Sequence, residues 1–363
     1  MQSQRGRAGG LVLATAAVLA LTVGCSTKPA ANTAAASGGG GTHSGGPVVL
    51  RDGKSVQVAL VSGGPHPYFQ PWKPALNKAR SDFGLGKVAF DETAEWDQGK
   101  QNNVLDSLAA QGYNAFGVFG VSPTDINTTF SDLSGKGVTV ASLGSCPAGS
   151  VDSAAFCLST DVEQAAYKAT KAAIDAMGGQ GTLVHVTGLN ADSNTQRRIA
   201  GVARAVGETH GKVTLLQTIT DIDTDLQTAQ KAVSDLLAAK GRQINGIVST
   251  AYNPAVAAAT AVKQSGLPIK VVAIDDDPAI LAGIRDGSVT ATVVQNPAGQ
   301  AYLGSWVLAL LQSKQCTLKK PGIEVDSGSF TVSKSNVDTY DTVRQNTTAA
   351  LKTQFATQLL SCG

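Results

Sequence analysis

The chain has 363 residues, of which 15% are charged and 5% aromatic, with a formal net charge of +2. That length is more than one core organises and suits two domains. Arg5 and Arg7 supply the whole excess: beyond residue 24, 27 basic side chains face 27 acidic ones, and a balanced chain without a basic stripe is not built for nucleic acid.

The N-terminus has the layout of an export signal. Arg5 and Arg7 precede an apolar run from Leu11 to Val23, and Gly24-Cys25 follows. The run is too short and one-sided for a good membrane span. Leu21-Thr22-Val23-Gly24 ahead of Cys25 resembles a bacterial lipobox, which implies removal of residues 1–24 and a lipid on Cys25 that holds the protein to the membrane. Residues 25–54 then read as anchor and flexible tether, since Ser26 to Pro47 is Ala- and Gly-rich with little apolar side chain to offset ordering.

From Val56 short β-branched runs alternate with amphipathic helical patterns. Strands are predicted at Val56–Val61, Lys87–Phe90, Ala115–Val121, Val138–Leu143 and Phe156–Thr160. Helices are predicted at Phe69–Phe83, Asp97–Gln111 and Pro123–Gly135, with Gly112 and Gly137 closing the last two. A helix over Val162–Met177 leads into a second series. Its strands are Thr182–Thr187, Val213–Thr220, Ile244–Ser249, Val271–Ile274 and Val289–Gln295. Its helices are Thr195–Thr209, Leu226–Ala239, Pro254–Gln264 and a short one after Pro278. A helix over Gly299–Leu311, one or two strands in Gly322–Val332 and a helix over Val343–Leu360 complete the chain. Such runs specify α/β lobes with doubly wound parallel sheets. So much chain after the second series implies several crossings between lobes, hence a hinge.

The loop after the first strand carries His66, Tyr68 and Phe69, with Trp72 a turn later. Loops at the carboxyl ends of parallel strands face the ligand crevice, and aromatic faces beside polar donors suit a ligand with C–H faces and hydroxyl edges. The same aromatics could instead staple the first helix, and either Trp72 or Trp96 could reach a ligand.

Besides Cys25, four cysteines remain for an oxidising compartment: Cys146, Cys157, Cys316 and Cys362. Of three connectivities, local pairing of Cys146 with Cys157 and Cys316 with Cys362 closes the shortest loops. No Cys-x-x-Cys occurs and the four histidines are scattered, so neither metal nor cofactor is expected.

Taken together, Pro65-His66-Pro67-Tyr68-Phe69, Gln196-Arg197-Arg198-Ile199-Ala200-Gly201, Val271-Val272-Ala273-Ile274-Asp275, Ile284-Arg285-Asp286-Gly287 and Val293-Val294-Gln295-Asn296-Pro297 make the chain from Ser55 to Val332 resemble the ribose-type solute-binding proteins of ATP-driven sugar importers. The resemblance implies the type I periplasmic binding protein fold, two lobes joined by a multi-strand hinge. An N-terminal lobe would take 55–160 plus about 297–327, and a C-terminal lobe 161–296 plus about 328–363. By position it places ligand contacts on His66, Tyr68, Phe69, Arg198, Asp275 and Gln295. A guanidinium donates a fork of hydrogen bonds to adjacent hydroxyls, a carboxylate accepts from two, and an amide does one of each. An ion pair at the hinge is the competing use of Arg198 and Asp275.

Two of the family's polar anchors are replaced. Gly144-Ser145-Cys146 stands where Asp-Arg is usual, and Ala251-Tyr252-Asn253 where Asn-Asp is usual. Tyr252 and Asn253 are candidate substitutes, as are Asn190 and Asp192. The resemblance therefore implies a monomeric substrate-binding lipoprotein that hands a small sugar or polyol to a membrane permease, with ribose itself disfavoured. A sensor docking to a membrane receptor shares every one of these features. A secreted hydrolase lacks support, since no Gly-x-Ser-x-Gly or His-Glu-x-x-His occurs, and His185 inside an apolar strand reads as core.

Overall fold

The structure, a computed structural model, describes residues 48–149 and 153–363. The leader 1–24, Cys25 and the stretch from Ser26 to Pro47 lie outside the described residues.

Chain order alternates as the apolar pattern requires: β1 (Gln57–Val61), α1 (Trp72–Phe83), β2 (Lys87–Asp91), α2 (Gln98–Ala110), β3 (Ala115–Val118), α3 (Ile126–Gly135), β4 (Thr139–Leu143) and β5 (Phe156–Ser159). The second series is α4 (Val162–Ala176), β6 (Gly181–Val186), α5 (Ser193–Gly207), β7 (Val213–Ile219), α6 (Leu226–Lys240), β8 (Gly246–Ser249), α7 (Tyr252–Ser265), β9 (Lys270–Ile274), α8 (Pro278–Asp286) and β10 (Ala291–Val294). There follow α9 (Pro297–Gln312), β11 (Cys316–Leu318), β12 (Ile323–Asp326), β13 (Phe330–Ser333), α10 (Tyr340–Gln354) and β14 (Leu360–Cys362). Helix α1 starts later than Phe69 because Pro67 and Pro71 break the segment. Pro67–Phe69 forms a single 3₁₀ turn, capped by His66 Nδ1 accepting from the Tyr68 N–H.

Two six-stranded sheets result. The first runs β12-β5-β4-β3-β1-β2 and is wholly parallel; the second runs β13-β10-β9-β8-β6-β7, with only β13 antiparallel. Helices cover both faces of each, so the inner strands are apolar on both sides. On the first sheet, Leu105 of α2 and Phe130 of α3 pack one face, while Trp72, Leu76 and the all-round buried α9 pack the other. On the second, α4 and α5 cover one face and α6, α7 and α8 the other.

Among the described residues, three segments at the hinge cross between the sheets, β5 to α4, β10 to α9 and β12 to β13, and α10 later returns the chain to the first lobe. Gln300, buried in α9, ties the three together, donating to Ser327 Oγ at 2.9 Å and to Thr160 Oγ1 at 3.4 Å.

The C-terminal division differs from expectation. Residues from 328 do join the second lobe at first, through β13 and Tyr340. Leu351, Phe355 and Leu360 then pack in the first lobe's core. The chain end is drawn there by a two-stranded β11–β14 ribbon that registers Cys316 against Cys362, and these two form a disulfide. Cys146 and Cys157 form the other.

Gly201 lets α4 and α5 meet backbone to backbone: a Cβ there would stand 2.2 Å from the Glu163 carbonyl oxygen and 3.1 Å from the Tyr167 nitrogen. Elsewhere in a helix Gly→Ala stabilises by about 1 kcal/mol. Here Gly201→Ala should destabilise by about 2 kcal/mol through overpacking, read as a fall in Tm; a rise would show that the two helices yield.

Candidate functional site

Parallel strands place all their carboxyl ends on one edge, and the two sheets turn those edges toward a shared cleft. Every residue lining it follows a strand. His66, Tyr68 and Phe69 come after β1, Trp96 after β2, Phe119 after β3 and Gly144 after β4. From the second lobe, Gly188, Leu189, Asp192, Asn194 and Arg198 follow β6, Asp223 follows β7, Ala251 and Tyr252 follow β8, Asp275 follows β9 and Gln295 follows β10. The cavity is about 90 Å³. At about 10–15 Å³ per water, it has room for a solute the size of one monosaccharide and not for a peptide.

One wall is aromatic. Phe69 lies 5.2 Å from Phe119 and 6.3 Å from Trp96 between ring centroids, and Trp96 meets Phe119 edge to face at 6.2 Å. Trp96 is more than a third exposed and sits at φ 59°, a strained backbone for a bulky residue, held by its N–H donating to the Gly63 carbonyl. Trp72 is fully buried behind Phe69, so Trp96 and not Trp72 faces the cleft.

The opposite wall is polar. Asp275 sits at φ 63° at the end of β9; its N–H donates to the Val293 carbonyl and its own carbonyl accepts from Thr292 Oγ1 at 2.6 Å. Gln295 Nε2 donates to Asp275 Oδ1 at 2.9 Å. Burial pushes the Asp275 carboxyl up to about 7; the Gln295 hydrogen bond opposes this, the neighbouring Asp276 charge adds to it, and Arg198 only partly offsets it. Burial also raises Asp192, against the pull of Arg198. Arg198 Nε is buried with no hydrogen-bond partner, a donor held ready rather than spent on the protein. Tyr68 donates from its hydroxyl to Gln300 Oε1 at 2.8 Å, and burial lifts its phenol well above the usual range. The aromatic wall is thereby joined to the hinge.

The lobes touch across the cleft. Asn194 Nδ2 donates to the Gly144 carbonyl at 3.2 Å, and the His66 and Tyr252 rings meet edge to face at 6.0 Å. His66 Nδ1 accepts from the Tyr68 N–H, which leaves the proton of a neutral ring on Nε2, facing Asp223 Oδ2 at 3.4 Å.

Eight of the ten ligand candidates named from the sequence line the cleft; Asn190 and Asn253 do not. Asn253 stands behind Asp223, donating from its N–H to Oδ1 at 2.8 Å and from Nδ2 to the carbonyl at 3.2 Å, so it positions that carboxylate. Exposed Asn190 straps its own loop, bonding Asp221 and Gln196. Sequence reasoning left Trp96 open against Trp72 and missed Asp223, Phe119 and Asn194: Asp223 lies in the loop after β7, Phe119 fell inside a predicted strand, and Asn194 stands in the first turn of α5. Gly144 explains the lost anchor: at φ 80°, with Phe119 3.1 Å from where its Cβ would be, only its carbonyl serves the cleft.

His185, buried in β6, accepts or donates at Nε2 with Thr250 Oγ1 at 2.7 Å, and burial with the Arg198 charge pushes it down to about 3. Its contribution to stability is present above its ordinary pKa and fades as pH falls. Asp275 acts with the opposite sign, its contribution being greatest below pH 4 and lost as pH rises to about 7. The ligand-free protein should therefore lose stability relative to Asp275→Asn between pH 4 and about 7, measured as the difference of the two Tm–pH curves. Parallel curves would refute the raised carboxyl.

Comparison with known proteins agrees with this architecture. A periplasmic binding protein domain matches residues 58–316. The ribose import binding protein of Bacillus subtilis (strain 168) is 24% identical over 234 residues, covering 64% of this chain and 73% of that protein. Among solved structures, a solute-binding protein of Burkholderia graminis in complex with D-arabinose superposes with a TM-score of 0.71 at 21% identity, over 80% of this chain and 99% of the other. One from Actinobacillus succinogenes with bound D-allose gives 0.72 at 18% identity, over 78% and 100%. The chain belongs to the periplasmic binding protein domain family.

Proposed function

We propose that this protein is the substrate-binding component of an ATP-driven importer, which captures a small sugar or polyol between its hinged lobes and delivers it to a membrane permease. The observation that carries the reading is the monosaccharide-sized cleft, in which aromatic ring faces oppose Arg198, Asp275 and Gln295. Sugar rings offer C–H faces to the former and hydroxyls to the latter. Several relatives of this fold are described with bound monosaccharides, which favours the same class here. In this reading the protein performs no chemistry and needs no cofactor. It acts as a monomer on the outer face of the cytoplasmic membrane, held by a lipid on Cys25. Ligand binding stabilises the closed pair of lobes, and the permease reads that state.

Two measurements test it. In a thermal-shift screen of pentoses, hexoses and linear polyols, a true ligand at about a hundred times its Kd adds about 2.7 kcal/mol and should raise Tm by about 5 °C. With that ligand, Arg198→Ala and Asp275→Ala should each weaken binding by about 3 kcal/mol, roughly a hundredfold in Kd. No shift from any member of the screen would overturn the sugar reading, and unchanged affinity in both variants the site assignment.

A further inference from the structure

The cleft is short of positive charge. Asp192, Asp223 and Asp275 line it against the single guanidinium of Arg198; below pH 7, where the raised Asp275 carboxyl is protonated, Asp192 and Asp223 still outnumber Arg198 and leave one negative charge with the His66 ring neutral. The two neighbouring carboxylates are committed elsewhere: Asp276 to Arg344 and Tyr340, Asp277 to the Tyr252 hydroxyl and the first turn of α8. Asp275 receives only the neutral Gln295 amide. Asp192 and Asp223 repel each other, and each holds a backbone N–H, that of Asn194 at 3.0 Å and that of Asn253 at 2.8 Å.

A neutral sugar would leave this excess buried and uncompensated, which is costly in a closed site. The facing wall is suited to a cation too, because the negative faces of Phe69 and Trp96 attract one at short range. Carboxylates opposite aromatic faces make a cation site, while Arg198 stays free for hydroxyls.

We propose that the ligand is a small polyhydroxylated molecule bearing one protonated amine, an amino sugar or amino polyol, whose ammonium lies at the Asp192–Asp223 edge of the cleft. This deepens the sugar-or-polyol reading above and rests on it.

Calorimetric titration of the full chain at about pH 6 and low salt tests it with matched pairs: D-glucosamine and D-glucose, D-galactosamine and D-galactose, D-mannosamine and D-mannose, 1-amino-1-deoxy-D-sorbitol and D-sorbitol. In at least one pair the amine should bind about tenfold or more tighter than its neutral parent. That gap should shrink several-fold in Asp223→Asn and in Asp192→Asn, and again in high salt. Neutral parents binding as tightly as their amines would overturn the proposal and leave the sugar reading standing. A gap that survives both substitutions would overturn the placement of the ammonium. Binding by no member of any pair would overturn this proposal together with the reading beneath it.

Discussion

Two parallel sheets facing each other by their carboxyl edges are the constraint on which this molecule depends. A strand entering from a helix is buried on both faces and has no side chain to spare for chemistry. The polar and aromatic residues therefore fall to the first positions after each strand, where the backbone leaves the core. Nine such exits converge here, four from the first sheet and five from the second. Because no single lobe holds the whole cleft, a ligand that bridged both walls would favour whichever arrangement brings them together. Gln300 links the cleft to the hinge, since one amide accepts from Tyr68 of the aromatic wall and donates to Ser327 and Thr160 at two of the crossings.

Buried charge gives the site its readiness. A carboxyl lifted to about 7 and an unpartnered, buried guanidinium nitrogen are each unfavourable within the protein alone. The fold bears these costs through four apolar clusters that pack both faces of both sheets. Left-handed backbone at Trp96 and Asp275 adds strain at one residue of each wall. A ligand that supplies the absent partners recovers what folding gave up, and selectivity follows because a near-miss ligand leaves one of those groups unpaired.

The alternation of strands and helices was legible because period-2 and period-3.6 patterns report burial directly, so Lys87, Val213 and Leu226 begin elements where the apolar runs say they should. Arg198, Asp275 and Gln295 were legible too, through motifs at strand and helix ends. What failed needed tertiary knowledge. The three-residue strands β11 and β14 are too short to show a pattern and exist because they pair with each other beside a disulfide. Trp96, left open against Trp72, lies five residues into a loop whose left-handed turn no periodicity reveals. Asn253 has the right chemistry in the right loop, yet its side chain turns to the back of Asp223, a choice fixed by the β7–α6 loop folding over α7.

The attachment of the N-terminal segment fits a moving second lobe. Val48 and Leu50 pack against the first lobe's core; Gln315 donates to the Val49 carbonyl and accepts from the Arg51 N–H; the Arg51 guanidinium donates to the carbonyl of Gly363. All of this gathers at the β11–β14 ribbon, which follows the far end of α9 from the hinge. Sixteen helical residues span about 24 Å, so the strap is kept well away from the crossings at Asn296 and Ser327. A chain held to a membrane through the residues before Val48 would be held by its first lobe at the end remote from the cleft. The second lobe could then open and close without pulling on the anchor, and the closing surfaces would stay free for a partner in the membrane.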